Sequence, residues 1–310
     1  MLDKYFQLEA HGTTVKREVL AGITTFLTMA YIIFVNPSIL QIAGMDFGAV
    51  FMATCMAAAF GSAFMGLYAN YPIALAPGMG LNAYFTFGVV KGMGFTWEVA
   101  LGAVFISGLL FLLISIVRLR EMLVNAIPMS MKLGIAAGIG LFLAIIALKN
   151  AGIVVDHPAT LVTMGNVKSL PVLLAAVGFA LIAALSARKI PGAIVISILA
   201  ITAIAVGLGI TEFKGVASAP PSMAPVFLKM DLKGALDVGL WTIIFVFLFV
   251  DLFDNTGTLI GVAHRGGFLD KDGKLPRIGR ALIVDSTSAS VGAALGTSTT
   301  TSYIESAAGV

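Results

Sequence analysis

Four carboxylates stand inside stretches of this 310-residue chain that are otherwise apolar enough to cross a membrane. They are Asp251 and Asp254 in IIFVFLFVDLFDNTGTLIGV, Asp285 in RALIVDSTSASVGAALG, and Glu305 in GTSTTTSYIESAAGV. An ionisable group at bilayer depth costs roughly 2.5–3.5 kcal/mol on insertion scales, so it faces a cavity and has a task there. Asp254 follows Asp251 by three residues, roughly one helical turn, so both can face the same interior. No Lys or Arg lies in the same stretches to pair with Asp251 or Glu305. Carboxylates placed in this way handle a polar solute, a proton, or both.

The surrounding composition is that of a membrane protein. Hydrophobic residues make up 59% of the chain and charged residues 11%, against about a quarter charged in soluble domains. Apolar runs of ~18–22 residues recur from end to end, long enough for a ~30 Å hydrocarbon core. The formal charge of +3 carries no signal for nucleic acid, and Cys55 is the sole cysteine, which rules out an intrachain disulfide and zinc spacing. Residues 1–18 carry six charged side chains and lead into a full-length span, so the N-terminus is no cleavable signal. No Walker motif, cofactor box or cluster of histidines in the spans is present, and no enzyme is expected. His11, His157 and His264 fall outside the expected spans.

Hydropathy predicts spans at about 19–40, 48–69, 97–117, 129–149, 170–187, 191–210, 238–262 and 279–294, with a broken span at about 72–90 and another from Gly296. Short interfacial stretches are expected at RLREMLVNAIP and near 226–237. With the N-terminus in the cytoplasm, thirteen Lys and Arg fall inside and six outside, which supports that orientation and a multi-pass protein of the inner (plasma) membrane.

Both broken spans share one plan. In YPIALAPGMGLNAYFTFGVV, Pro72 and Pro77 each remove a backbone donor, and Gly78 and Gly80 weaken a helix further. An extended stretch followed by a half-helix from about Gly80 is expected, with Asn82 in its first turn. In the second, six hydroxyl residues run from Thr297 to Ser302 and favour an extended strand. Another half-helix should then carry Glu305 near its start. Irregular backbone is tolerated at that depth only where it is buried in protein or lines a cavity, and a half-helix N-terminus aims free N–H groups at that cavity.

Seven crossings separate span one from span eight. Seven is odd, so the second unit enters from the opposite face, and the third element of each unit is the broken one. That is the pattern of an inverted-topology repeat with its substrate site at the midplane. The second unit stops at Val310. By analogy with the first, about four more spans, roughly 110–130 residues, are expected beyond it, so the chain reads as truncated in its tenth span.

APGMGLNAYF, FVDLFDNTGTLIG, GTSTTTSYIESAAGV and, upstream, AGITTFLTMAYIIFVNP are similar to the motifs of the AzgA-like purine permeases, the hypoxanthine/guanine/adenine proton symporters related to the nucleobase–ascorbate transporters. The resemblance runs along the whole chain. It implies an all-α integral membrane protein of fourteen spans, seven plus seven inverted, whose two broken spans contain short strands. It divides the chain into a core domain at 1–118, a gate domain at 119–210, a linker and interfacial segment at 211–237, and the incomplete second half of the core at 238–310. A homodimer through the gate domain is implied as well. By motif, Asp251 matches the acidic residue of span eight that contacts the nucleobase, Glu305 that of span ten, and Asn82 the asparagine of span three. Asp254 and Asp285 are then supporting polar groups, with Glu305, in proton coupling.

A carboxylate suits the N–H edge of a neutral purine and repels an anion. Thr300 and Thr301 are candidate contacts, although hydroxyls of this kind also serve the strand itself. Tyr84, Phe249 and Phe253 could stack on a purine ring or simply pack. The function expected is import of a purine nucleobase by proton symport, with no cofactor and no metal. The alternatives are a channel or anion exchanger sharing the broken-helix plan, which would place Arg, Lys or no charge at the half-helix ends, and a permease for a pyrimidine or xanthine.

Overall fold

Capping residues set the starts of several helices. Thr14 accepts from the amide of Arg17, Asp46 from that of Ala49, Thr96 from that of Val99, and Asp231 from those of Lys233 and Gly234. The computed structural model describes residues 5–9, 12–117, 129–188, 190, 192–213, 215, 218–237, 240–271 and 274–310. In chain order its elements are α1 (Val15–Met29), α2 (Ile32–Ile42), α3 (Phe47–Phe64) with a π-helical turn at Met65–Ala69, β1 (Leu75–Pro77), α4 (Met79–Ala83) continued by a π-helical stretch at Tyr84–Gly92, and α5 (Trp97–Ile116). There follow α6 (Met129–Asn150), β2 (Val154–His157), β3 (Leu161–Met164), α7 (Leu170–Ala187), α8 (Ala193–Gly207), α9 (Leu232–Ala235), α10 (Leu240–Gly266), α11 (Ile278–Leu295), β4 (Thr300–Ser302) and a 3-10 turn at Ile304–Ala308.

Among the described residues, five helical stretches are long and apolar enough to cross a membrane: Val15–Ile42, Phe47–Ala69, Trp97–Ile116, Leu170–Ala187 and Leu240–Gly266. Large apolar side chains on their outer faces are exposed, as Leu113 and Phe179 show, which is the pattern of a lipid-facing surface.

Several elements differ in detail from the expected ones. Span one is two helices, α1 and α2, meeting at Ala30 and Tyr31. Pro37 deprives the carbonyl of Ile33 of its helical donor, and the hydroxyls of Thr24 and Thr28 turn back onto carbonyls one turn earlier, which bends helices. The stretch near 226–237 holds a helix of only four residues, α9. Short strands also occur outside the broken spans, where β2 and β3 form a hairpin with Val154 opposite Met164; Val154, Val155, Val162 and Thr163 are β-branched, which suits a strand. His264 lies in the last turn of α10, past the expected span end near 262, and it is exposed. His11 and RLREMLVNAIP fall outside the described residues.

The chain divides into two compact units. Residues 134–219 hold most of α6, the hairpin, α7 and α8. Lys149 and Asp156 form an ion pair at 2.9 Å there, which at such exposure contributes little. Residues 1–133 with 220–310 hold everything else. Their main apolar core is built from Leu40, Val50, Leu81, Phe85, Leu101 and Phe247 with their neighbours. Within it α5 and α11 touch backbone to backbone: a Cβ on Gly108 would lie 2.5 Å from Ser290 Oγ and 2.9 Å from Ser290 N. Small residues at such a crossing are how membrane helices approach closely.

Candidate functional site

The two broken spans meet. β1 pairs antiparallel with β4, placing Leu75 opposite Ser302, Ala76 opposite Thr301 and Pro77 opposite Thr300. The amide of Gly78 donates to Thr299 O at 2.9 Å, and that of Tyr303 to Ala74 O at 3.0 Å. The two segments thus satisfy each other's backbone, which membrane depth demands. All six strand residues are buried. A Cβ on Gly78 would sit 2.8 Å from Thr301 Cγ2, so the crossing itself needs glycine there. From the pair, α4 leaves on one side and the Ile304–Ala308 turn on the other.

Asn82, on α4, is fully buried in a closed polar circuit. Its Nδ2 donates to Asn36 Oδ1, and its Oδ1 accepts from Ser298 Oγ. Asn36 Nδ2 in turn donates to Thr54 Oγ1 at 2.6 Å and to Thr297 Oγ1 at 2.8 Å, and Thr54 passes its own hydrogen to Val50 O at 2.7 Å. Four segments are joined: α2, α3, α4 and the run leading into β4. Asn36 did not stand out in the sequence, although the Asn-Pro dipeptide at 36–37 inside an apolar span marks it.

Glu305 lies in the second half-helix, half-buried. Its Oε1 accepts from the hydroxyl of Tyr31, at the junction of α1 and α2. Its backbone carbonyl accepts from Thr28 Oγ1 at 3.4 Å. Asp254 and the phenol of Tyr303 are both within electrostatic reach of it. Glu305 and Asp254 are therefore brought together, on neighbouring elements. Asp251 is buried three residues earlier on α10, at 2% exposure. Asn255, one turn further along the same face, accepts at Oδ1 from Ser302 Oγ. Asp285 is fully buried on a third element, α11.

Among the described residues, three hydrogen-bonding groups around this point are buried with no protein partner: Asn255 Nδ2, Thr300 Oγ1 and Thr301 Oγ1. Buried polar groups are rarely left so. Tyr84 packs edge-on against Phe247, with ring centroids 5.2 Å apart. Phe249 and Phe253 stack on each other at 6.4 Å, and Phe249 is exposed. A cleft of about 460 Å³ borders this region, between α1, the start of α2, α3, residues 71–74 and Gly309; Thr25, Met29, Cys55 and Ile73 are among its lining, and none of the expected site residues is. Among the described residues no group of acidic, His or Cys side chains could hold a metal ion.

Helices of membrane-spanning length, interrupted spans crossing through paired strands and carboxylates buried beside them define a multi-pass membrane transport protein. The chain belongs to the Permease family, whose pattern its residues 16–310 match. It is 51% identical to adenine permease AdeP of Escherichia coli over 310 residues, covering 100% of this chain and 70% of AdeP. It is 47% identical to adenine permease AdeQ of the same organism, with 100% and 70% covered. It is 46% identical to guanine/hypoxanthine permease PbuO of Bacillus subtilis, with 98% and 72% covered. The resemblance to the AzgA-like purine permeases therefore holds.

Proposed function

We infer that this protein imports a purine nucleobase together with a proton. Relatives named for adenine and for guanine/hypoxanthine transport support the substrate class. The observation that carries the reading is the set of groups at the strand crossing. Among the described residues no protein atom bonds Asn255 Nδ2, Thr300 Oγ1 or Thr301 Oγ1, while Asp251 on α10 and Glu305 in the turn after β4 supply acceptors. A nucleobase has both an N–H edge for carboxylates and ring nitrogens or a carbonyl for donors. Asn82 and Tyr84 border the same region from α4 and its continuation, Asn82 through Ser298 and Tyr84 against Phe247.

Glu305 is the coupling group in this reading, with Asp254 and Asp285 in support. A carboxyl group can take up a proton on one side, carry it across with the base and give it up on the other. The paired strands suit a seven-plus-seven inverted repeat, in which a core holds the substrate and moves against a gate. Residues 1–118 and 238–310 would be core, 119–210 gate, and 211–237 the connection, with the gate also forming a homodimer. Thirteen Lys and Arg on one side against six on the other favour a cytoplasmic N-terminus in the inner membrane.

The test is uptake of radiolabelled adenine, hypoxanthine, guanine and uracil by the full-length protein in proteoliposomes, with and without an imposed pH gradient. Purines should accumulate and uracil should not. Glu305→Gln should retain binding and counterflow but lose accumulation, because an amide accepts a hydrogen bond without exchanging a proton. If this variant still concentrates purine in response to the gradient, the proton is carried elsewhere, with Asp251, Asp254 and Asp285 the remaining candidates.

A further inference from the structure

Tyr31 was silent in the sequence, and nothing in the transport reading above uses it. It is 9% exposed, at the point where span one breaks. Its hydroxyl donates to Glu305 Oε1 across 274 residues of sequence. Among the described residues it is the one side chain that hydrogen-bonds this carboxylate, and no cation forms an ion pair with it. The Ile304–Ala308 turn packs against α1 and α10. On α10 the titratable group facing Glu305 is Asp254, and Tyr303 faces it from its own segment. The charged residues of α1, Lys16, Arg17 and Glu18, lie in its first turns, about 15 Å of helix from Thr28. Thr28, which does reach the turn, does so at the backbone carbonyl of Glu305. The charge on Glu305 is thus opposed by an acidic neighbour and supported by a single phenol.

We propose that Tyr31 is a positioning residue for the coupling carboxylate, holding Oε1 so that the second oxygen is presented for proton exchange and setting how firmly that proton is held. This rests on Glu305 being the coupling group. A phenol donates best to an ionised carboxylate, so this bond and the proton on Glu305 compete for the same group. The break in span one matters for this, because it places a residue of the first transmembrane stretch against the tenth. Relative movement of α2 and the Ile304–Ala308 turn would make or break the bond, and with it change the grip on the proton.

The experiment is the pH dependence of initial hypoxanthine and adenine uptake in proteoliposomes bearing the full-length protein, for wild type, Tyr31→Phe, Glu305→Gln and the double variant. Without the phenol the proton is held more firmly, so half-maximal uptake moves to higher external pH by about one unit, a tenfold change in proton concentration. The maximal rate falls through slower release inside, while KM for the purine changes less than twofold. With Gln at 305, Tyr31→Phe should produce no further shift. A shift that persists in the Gln background would overturn the proposal, since Tyr31 would then act through another group. So would a wild-type profile for Tyr31→Phe while Glu305→Gln abolishes accumulation, an outcome that leaves the transport reading standing. If instead Glu305→Gln still accumulates purine, another carboxylate carries the proton and the proposal for Tyr31 falls, while purine transport itself stands. Should Tyr31→Phe fail to fold, 3,5-difluorotyrosine at position 31 gives the opposite test: a stronger donor must move the midpoint to lower pH, and an unmoved midpoint overturns the proposal.

Discussion

The two half-helices that leave the strand crossing are anchored in different ways. On the α4 side, Asn82 sits in a circuit with Asn36, Thr54, Thr297 and Ser298, all fully buried, in which each amide both donates and accepts. On the other side, Glu305 is half-buried and its carboxylate is held by one hydroxyl. A network satisfied throughout is rigid, and a partly satisfied one is not. The contrast gives the crossing a fixed arm and a responsive arm. A transport site needs both: one arm to keep the geometry, the other to change state.

The sharpest way to break this comparison is to open the circuit. Asn36→Leu strips partners from Thr54, Thr297 and Asn82 at once. Each buried orphan costs about 1–3 kcal/mol, so a loss on the order of 3 kcal/mol or more is expected, read as a lower unfolding midpoint in detergent. Tyr31→Phe should cost about 1 kcal/mol by the same measurement. Equal losses for the two would remove the distinction between the arms.

A smaller effect is expected where the arms join. Gly78→Ala drives a methyl to 2.8 Å from Thr301 Cγ2. Overpacking of this kind costs about 1–3 kcal/mol, and it should lower both thermal stability and purine affinity. A variant with unchanged affinity would show that the crossing does not shape the site.

The smallest stability change sharpens the comparison most. Thr300→Val and Thr301→Val remove buried hydroxyls that, among the described residues, bond to no protein atom. Stability should stay within about 1 kcal/mol of wild type, on the stabilising side. If these hydroxyls meet the nucleobase, KM rises severalfold in the same variants, and if they serve only the strand, it does not move.

Much of the frame was legible because membrane physics leaves few choices. Leu170–Ala187 was expected at 170–187 and is found there, since an unbroken apolar run has one reading. The extended segments announced themselves through Pro72, Pro77 and six consecutive hydroxyl residues. Hydropathy could not see the break between Met29 and Ile32, because neither side of it changes in apolarity. For the same reason the π-helical turns at Met65–Ala69 and Tyr84–Gly92 were invisible. In the site, charge drew attention to Asp251, Asp254, Asp285 and Glu305. Tyr31, Asn36 and Asn255 are neutral, and their importance lies in partners from 18 to 274 residues away, a distance that local pattern does not encode.

The pairing of Leu75 with Ser302 also has a consequence for how the protein is made. About 230 residues must be synthesised after the first strand before the second exists, which at ~5–20 residues per second takes roughly ten to fifty seconds. For that interval Leu75–Pro77 has no ladder partner, and open backbone is not tolerated against lipid. The nascent chain must wait in a protein-lined or wet setting, so lateral release of the early spans is tied to the arrival of the late ones. A ribosome that stalls before Thr300 leaves a set of inserted helices with an unclosed seam at their centre. The three-residue strand pair can therefore close only after translation has passed Ser302.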